Sequence, residues 1–418
     1  MRAYLLGILT ASLLMAVDER QLALMLKAQS DFDRVEMAVR PRIPETDACV
    51  QSQAAALSVS APTERALLLY RKGFCTLAGA AATRQGSQFL DAAAEFDKAI
   101  AAWPERIRKP SKDAVPEPVS SALRVYAAIG RLQGSTGSEA TAAASREIST
   151  ALNPAVCNSN LMPAATCTQV LAAGSEWLGW IALRDGRVDE AARLLAPVPD
   201  SSWRKWAEGR REFEAARYPA ASTQYVAAIE QWKRTWNGEG PTFRQALGPR
   251  PALPIALADY GAARMLAGDL EGAIVTLNAS LQADPKNAHA LFLRARAKEL
   301  SGKQEEALAD YNLASRNAFA EARDLASGEA HLYRGVVLMR RREFARAEEE
   351  FASALTFEMT GSLRPDAQAW RHFAAVLQGG CGPARDSLTQ ALATVSPFFP
   401  RDEARAAAAA CSVTSERR

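Results

Sequence analysis

Apolar positions recur along much of the chain with the period of an α-helix, in pairs of segments joined by a short turn. Residues 257–285, LADYGAARMLAGDLEGAIVTLNASLQADP, contain two such amphipathic patterns, which meet at Gly268-Asp269. The second pattern stops at Asp284-Pro285, because proline cannot continue a helix. The pair therefore predicts two antiparallel helices, a helical hairpin. A shift of 34 residues aligns it with the next hairpin, residues 291–319, and four positions coincide: Gly261 with Ala295, Gly268 with Gly302, Ala273 with Ala307, and Leu277 with Tyr311.

One spacing of small and large residues repeats along the chain. A small residue is followed twelve positions later by a second small residue, and four positions after that by a large one. Five copies occur in order: Gly179/Ala191/Leu195, Gly209/Ala221/Tyr225, Gly261/Ala273/Leu277, Ala295/Ala307/Tyr311 and Gly335/Ala347/Phe351. Three of them have a glycine five residues before the second small residue, at Gly186, Gly268 and Gly302. A weaker copy with an insertion between its helices comes earlier, Ala92/Phe96/Ala99 with Pro104, preceded by Leu69-Tyr70 and Gly73. A shortened copy follows at Trp370/Ala374/Ala384/Leu388/Ala391.

The spacing has a simple packing explanation. Two helices approach closely only where the facing side chains are small, and the large residue fills the groove beside them. One such hairpin cannot bury its apolar face alone, so it stacks on its neighbours. The pattern resembles the tetratricopeptide repeat (TPR) over residues 172–395. The resemblance implies an all-α fold, an α-solenoid of stacked antiparallel helix hairpins (a TPR superhelix) with a C-terminal capping helix.

We expect four segments along the chain: a signal peptide at residues 1–17, divergent helical repeats at 18–160, the TPR array at 165–399, and a capping helix and tail at 400–418. One insertion, NGEGPTFRQALGPRPALP, follows Trp236 and delays the next repeat by roughly twenty residues. A loop of this kind is either functional or simply irregular.

The N-terminus resembles a secretory signal. Met1-Arg2 precedes the apolar run YLLGILTASLLMAV and then Asp18-Glu19-Arg20. The run is short for a membrane span, which needs roughly 20 residues, and its length suits a signal peptide. We expect a periplasmic or secreted bacterial protein. The alternatives are a retained membrane anchor and a cytoplasmic protein with a buried N-terminal helix.

Composition removes several classes. The chain has 418 residues, of which 48% are hydrophobic and 7% aromatic, with alanine prominent among the apolar ones. A hydrophobic fraction of 48% is too high for a disordered protein. The net charge is only +3, far from the basic excess of nucleic-acid binders, so we expect no nucleic-acid partner. A membrane partner is expected only if the N-terminal segment stays as an anchor.

The six cysteines fall into three local pairs. None forms a C-x-x-C motif, and histidines are too few and too scattered for a zinc site. In an oxidising compartment the pairs could form disulfides that close short loops. Six cysteines allow fifteen connectivities, and six buried free thiols are the alternative. The candidate pairs are Cys49 with Cys75, Cys157 with Cys167, and Cys381 with Cys411.

The sequence lacks the common catalytic and cofactor signatures. There is no G-x-S-x-G, H-E-x-x-H, Walker motif or G-x-G-x-x-G. The histidines His289, His331 and His372 lie on first helices of successive repeats, too far apart to converge easily on a metal. We therefore expect no enzyme activity, no cofactor and no metal.

The resemblance also implies where a partner binds. In TPR proteins the first helix of each repeat lines the concave surface, and aromatic and arginine residues gathered there can anchor a peptide. The alternative is that the tryptophans pack between helices. The candidate groove residues are Trp180, Trp203, Trp206, Arg210, Phe213, His289, Phe292 and Arg296, with Glu176 and Glu299 at equivalent positions.

Three functions remain open on the sequence alone. The first is an exported, non-catalytic protein–protein interaction scaffold that binds a peptide or protein in the concave groove. The second is a structural component of an envelope assembly or secretion machinery, in which the convex face and the ends matter more. The third, an accessory glycan-binding or enzymatic protein, depends only on the tryptophan cluster.

Overall fold

The computed structural model describes residues 19–103, 118–135, 137–152, 164–237, 241–321, 328–357, 359 and 363–415. The predicted signal peptide, residues 1–17, and Cys157 lie outside these ranges. Export is therefore still a prediction.

The described part of the chain is all-α and contains no strand. Its twenty helices are α1 (Glu19–Glu36), α2 (Ile43–Val59), α3 (Pro62–Thr83), α4 (Gly86–Ala102), α5 (Pro118–Gly134), α6 (Ser138–Ala151), α7 (Ala164–Arg184), α8 (Val188–Leu195), α9 (Ser202–Glu214), α10 (Tyr218–Asn237), α11 (Phe243–Leu247), α12 (Leu253–Leu266), α13 (Leu270–Ala283), α14 (Ala288–Leu300), α15 (Gln304–Glu321), α16 (Gly328–Arg340), α17 (Phe344–Ala354), α18 (Leu363–Leu377), α19 (Pro383–Ala391) and α20 (Arg401–Ser415).

Consecutive helices pair into hairpins. The pairs are α1–α2, α3–α4, α5–α6, α7–α8, α9–α10, α12–α13, α14–α15, α16–α17 and α18–α19. Helix α11 stands outside this pairing, and α20 packs on α18 and α19 at the C-terminal end. The predicted fold of stacked helix hairpins with a capping helix is confirmed.

The repeated spacing marks the point where the two helices of a hairpin touch. A methyl group added at Gly261 would lie 2.6 Å from Cγ of Leu277, the large residue of the same copy. The same relation joins Gly179 to Leu195 Cγ at 2.5 Å, Gly209 to Tyr225 Cδ1 at 2.6 Å, and Gly335 to the Phe351 ring. These glycines let the large side chain lie against the partner backbone, as the packing argument predicts.

The turns between paired helices share one backbone conformation. Gly186, Gly268 and Gly302 have φ values of 74°, 90° and 79°, in the left-handed region that glycine adopts without strain. Ala216 and Arg342 occupy the same register position, five residues before the second small residue, with φ values of 56° and 62°. The turn is thus a property of the repeat geometry, even where the sequence has no glycine to indicate it.

The described residues form two compact units. Unit 1 spans residues up to 207 together with 233–250, and unit 2 spans 208–232 and the residues from 251 onward. The core of unit 1 includes Phe74, Phe96 and Tyr126, and the Phe96 and Tyr126 rings stack with centroids 5.1 Å apart. The core of unit 2 includes Tyr311, Tyr333 and other large residues between alanine-lined helices.

Two disulfides each link neighbouring elements, one in the N-terminal part of the chain and one in the C-terminal part. Cys49 and Cys75 join α2 to α3, and Cys381 and Cys411 join the α18–α19 turn to α20. Both are among the predicted pairs. Cys167 is also disulfide-bonded, while its predicted partner Cys157 lies outside the described residues.

Candidate functional site

The insertion after the fifth hairpin folds into a short helical turn. Thr242 caps α11: its hydroxyl accepts a hydrogen bond from the Gln245 N–H at 3.3 Å, and Gln245 Oε1 accepts from the Thr242 N–H at 2.9 Å. This reciprocal arrangement is the capping box that the sequence T-F-R-Q can form. The turn fixes the directions in which Phe243, Arg244 and Leu247 project. We call residues 241–250 the insert segment.

The insert segment lies against the first helices of unit 1. Its contacts reach α3, α5, α7 and α9, the first members of four successive hairpins. Main-chain N–H of Phe243 also donates to the Val39 carbonyl, just after α1, at 2.8 Å. We call the surface that it covers the first-helix face of unit 1, defined by these side chains: Phe74, Gln133, Glu176, Trp177 and Trp203.

This face recognises the main chain of the insert segment. Trp177 Nε1 donates to the Leu247 carbonyl at 2.8 Å, and Gln133 Nε2 donates to the same oxygen at 3.0 Å. Trp203 Nε1 donates to the Pro249 carbonyl at 3.3 Å. Each donor belongs to a different helix, so three hairpins converge on one stretch of peptide backbone.

Side chains of the insert segment complete the contact. The Phe243 ring lies edge-on to Phe74 with centroids 5.1 Å apart, and the Leu247 side chain is buried. Burial of a leucine side chain contributes roughly 2 kcal/mol. The insert is thus held by an aromatic contact, a buried aliphatic side chain and main-chain hydrogen bonds.

A buried carboxylate marks the middle of the face. Glu176 Oε1 lies 3.5 Å from Arg244 Nη2, and a methyl group added at Gly248 would lie 2.8 Å from Glu176 Oε2. Burial raises the pKa of Glu176, and the hydrogen bond from Ser201 and the charge of Arg244 only partly oppose this. The face therefore presents a carboxyl group that favours a nearby cation, and a side chain at position 248 would require that carboxyl group to shift.

Three predicted groove tryptophans form a chain of ring contacts in unit 1. Trp180 contacts Trp203 at 6.5 Å between centroids, and Trp203 contacts Trp206 at 5.3 Å. Trp203 and Trp206 are only 3% and 5% exposed, as the alternative of tryptophans packed between helices describes, and their role in partner binding stays a prediction. Trp203 packs between the rings of Trp180 and Trp206 and donates to the insert segment. Trp180 is half-buried, with the Arg184 guanidinium over its ring at 5.4 Å.

Arg210 and Phe213 lie on the part of α9 that belongs to unit 2. Arg210 pairs with Asp259 of α12 at 3.4 Å, and about a third of its side chain is exposed. Charge attraction to Asp259 raises the pKa of Arg210, so the guanidinium stays charged. Phe213 is half-buried, and its ring lies 6.1 Å from that of Phe398 in the segment before α20.

The predicted residues of α14 divide into one exposed side chain and two packed ones. His289 is exposed. Phe292 stacks on Tyr333 with centroids 4.8 Å apart, and Arg296, which is buried, pairs with Glu299 at 2.6 Å. Phe292 and Arg296 therefore act within the packing of α14 against α16 in this conformation.

Glu299 is the centre of a charge network. Its carboxylate accepts from the Tyr311 hydroxyl at 3.0 Å and lies 2.6 Å from the Arg340 guanidinium, which reaches Glu403 of α20 at 2.8 Å. The capping helix is thus linked by charge to the first helix of a repeat, in addition to its disulfide.

Sequence and structure comparisons gave different results. No family profile matches the chain, and no curated protein is similar to it in sequence. Among solved structures, yeast Tom70 is similar at 11% identity and a TM-score of 0.35, with 96% of this chain and 97% of that chain covered. A tetratricopeptide repeat protein from Parabacteroides merdae has 13% identity and a TM-score of 0.29, with 85% and 99% covered. The human IFIT1 dimer with PPP-AAAA has 11% identity and a TM-score of 0.38, with 91% and 96% covered.

The geometry of this chain decides its class. The contact between a small and a large residue within the hairpin and the left-handed turn five residues before the second small residue recur together in α7–α8, α9–α10, α12–α13 and α16–α17. The fold of the described residues is TPR-like. In this TPR-like chain, Glu176 and Trp203 of the first-helix face are among the positions that the sequence resemblance assigned to partner binding.

Within the described ranges of the TPR-like chain, no three His, Cys, Asp or Glu side chains are grouped as a metal site requires. His331 Nδ1 lies 2.8 Å from Glu350, and its ring stacks on Phe357. Burial and the charge of Arg371 lower the pKa of His372. None of the helices in these ranges combines the length and apolar character needed to cross a bilayer.

Sequence reasoning placed Glu176 and Trp203 on the first-helix face, but it missed Phe74, Gln133 and Trp177. It also treated the insertion as a loop without an assigned place. One local signal was available, because Thr242 and Gln245 have capping-box spacing. The contacts themselves could not be predicted, since Gln133 and Leu247 are 114 residues apart.

Proposed function

We propose that this TPR-like protein is an exported, non-catalytic scaffold that binds a peptide segment of a protein partner on its first-helix faces. The observation that carries the proposal is the insert segment on unit 1. Three side-chain donors of that face, from Gln133, Trp177 and Trp203, are directed at main-chain carbonyls. Side chains that satisfy peptide carbonyls are a means of binding polypeptide in extended or single-turn form.

Two features support an exported location. The apolar run YLLGILTASLLMAV after Met1-Arg2 has the length and flanking charge of a signal peptide. The disulfides Cys49–Cys75 and Cys381–Cys411 are typical of proteins that fold in an oxidising compartment.

Site-specific photo-cross-linking in a periplasmic extract tests the proposal. A cross-linking amino acid is placed at Trp180 and, separately, at Arg210, two predicted groove positions with some exposed surface. Matched controls carry the same group at exposed positions on second helices, Ser149 in unit 1 and Val275 in unit 2. We expect the same partner to be captured from position 180, position 210 or both, and not from the controls. Capture from the control positions alone would overturn the binding-face assignment.

A second candidate function follows from the N-terminal hairpin. Five large apolar side chains are exposed on α1, in the turn that follows and at the first residue of α2: Leu22, Leu26, Met37, Val39 and Ile43. Exposed apolar side chains on the N-terminal hairpin favour assembly with another component, as a structural role in an envelope complex requires. Sedimentation of a detergent-solubilised envelope fraction from cells that produce the protein tests this. L22E/L26E would release the protein from a larger complex, while L90E, at an exposed position on α4, would not.

A further inference from the structure

The insert segment occupies the face that the TPR resemblance assigns to a partner. It is extra to the repeats, because the hairpins α9–α10 and α12–α13 form on either side of it with their own small-residue contacts. An isolated helix of five residues is not stable in water, so α11 is held by its contacts with the face. The insert therefore behaves as a ligand that is tethered to its own receptor.

We propose that the first-helix face of unit 1 is a peptide-recognition groove, that residues 241–250 are its resident intramolecular ligand, and that the protein partner carries a Phe-Arg-x-x-Leu-Gly segment that displaces them. This inference rests on the proposed function, since it specifies the partner of that same face.

Each position of the motif follows from a contact. Phenylalanine packs edge-on to Phe74, as Phe243 does at 5.1 Å. Arginine forms an ion pair with the buried carboxylate of Glu176, as Arg244 does at 3.5 Å. The two intervening positions, Gln245 and Ala246, are half-exposed, and the Gln245 side chain bonds to Thr242 within the insert and to Thr235 of α10 at 3.5 Å rather than to the residues that define the face.

The last two positions are the most restrictive. The leucine side chain is buried, and its carbonyl accepts from both Trp177 and Gln133. Glycine follows because a Cβ at Gly248 would lie 2.8 Å from Glu176 Oε2. A leucine followed by a larger residue would force Glu176 away from its place beside the arginine.

The face disfavours an empty state. If the insert left without a replacement, Leu247 and the ring of Phe243 would be exposed and the buried groups of the face would lose their partners. A buried polar group that loses its hydrogen-bond partner destabilises the state that contains it. Release of the insert segment therefore requires a ligand with main-chain carbonyls in place of those of Leu247 and Pro249 and a cation in place of Arg244. For this reason the partner must share the chemistry of the insert.

Because the insert segment is covalently attached to the chain, a free peptide must reach a high concentration to compete with it. A short linker gives an attached ligand an effective concentration on the order of millimolar. A free peptide at micromolar concentration cannot compete with the intact insert, but it can bind when the insert is weakened. A direct test follows from this difference.

The test uses the full mature chain and a labelled peptide, acetyl-PTFRQALGPR-amide, which has the sequence of the insert. Fluorescence anisotropy measures its binding to the wild-type chain and to F243A/L247A, which weakens the resident ligand and leaves the face intact. We expect the double variant to bind the peptide at least about tenfold more tightly than the wild type. Adding Q133A to the double variant is expected to weaken that binding, and a peptide with Phe and Leu replaced by Ala is expected not to bind.

A folded double variant, shown by its helical circular dichroism, that fails to bind the peptide would overturn the inference. If F243A/L247A does not fold, R244E replaces it, because a carboxylate at position 244 repels Glu176 and displaces the insert without removing apolar side chains. Equal peptide affinity for R244E and wild type would then overturn the inference. The cross-linking from positions 180 and 210 is independent of this peptide, so failure here leaves the proposed function to be judged by its own experiment.

Discussion

The indole nitrogen of Trp177 lies 2.8 Å from the main-chain oxygen of Leu247, a residue 70 positions further along the chain. The bond joins a first helix of unit 1 to an insertion that the repeat pattern does not require. It is buried, and Gln133 donates to the same oxygen. The insertion is therefore held against the face on which we propose that a partner binds.

Trp177→Phe is expected to loosen the insert segment. The substitution keeps an aromatic ring and removes the donor to Leu247, which costs about 1 kcal/mol for a typical hydrogen bond. Trypsin should then cleave after Arg244 several times faster than in the wild type. Tyr70→Phe is the matched control, because its buried hydroxyl has no hydrogen-bond partner and its removal should leave cleavage unchanged. Equal cleavage rates in W177F and wild type would refute the role given to this bond.

Glu176→Gln is expected to change how the stability of unit 1 depends on pH. Burial raises the pKa of Glu176 above its ordinary value of 4.5, so the folded chain binds this proton more readily than the unfolded chain. The stability that the protonated carboxyl contributes is complete below pH 4.5 and is lost as the pH rises through the raised pKa. Glutamine resembles the protonated acid at every pH, so E176Q should melt higher than wild type near neutral pH.

The difference in melting temperature between E176Q and wild type should shrink as the pH falls toward 4.5. Thermal unfolding followed by circular dichroism from neutral to acidic pH measures it. Glu139→Gln, at an exposed position on α6, serves as the control and should show no such trend. A difference that stayed constant with pH would contradict the buried-carboxyl account.

Ala216→Gly and Arg342→Gly are expected to stabilise unit 2. Both residues have positive φ, at 56° and 62°, where a side chain costs about 1–2 kcal/mol and glycine does not. Part of that gain is offset by the greater backbone entropy of glycine in the unfolded chain, so about 0.5–1 kcal/mol should remain. Chemical denaturation measures the free energy of unfolding. The neighbours provide controls, since Ala215→Gly and Arg341→Gly should destabilise or have no effect.

Gly261→Ala is expected to destabilise unit 2 by about 1–3 kcal/mol, because the new methyl group would lie 2.6 Å from Leu277 Cγ. Gly137→Ala is the matched control, since no atom lies within 4 Å of its added Cβ and its φ is −88°. In G261A/L277A the added methyl group has space, so the two changes should cost less together than the sum of the single variants. Strict additivity would show that these two positions do not touch.

The repeat architecture could be predicted because it depends on the spacing of small and large residues within a single hairpin. Gly261 and Leu277 belong to one hairpin, and the close approach of its helices restricts which residues fit. The left-handed turns at Ala216 and Arg342 could not be predicted, since neither residue type favours that conformation and only the neighbouring helices impose it.

The state of the candidate site was less predictable. Trp203 was expected on the first-helix face, and it donates there to the insert. Whether that face is open or covered depends on how the insert segment, which has no repeat pattern, folds back onto it. The contacts involved join residues that are 46 to 114 positions apart in the sequence. Hydrophobic periodicity reports which side of a helix is apolar, but it does not report which distant segment covers that side.

Hydrogen–deuterium exchange of the wild-type chain, with and without several millimolar of the unlabelled insert peptide, tests the central claim most directly. The claim is that the first-helix face of unit 1 binds one polypeptide segment at a time. It predicts that amides 243–247 exchange faster when the peptide is present, because the resident segment is displaced, while amides of α14 in unit 2 do not change. Unchanged protection of residues 243–247 at a peptide concentration that saturates the chain would contradict the claim.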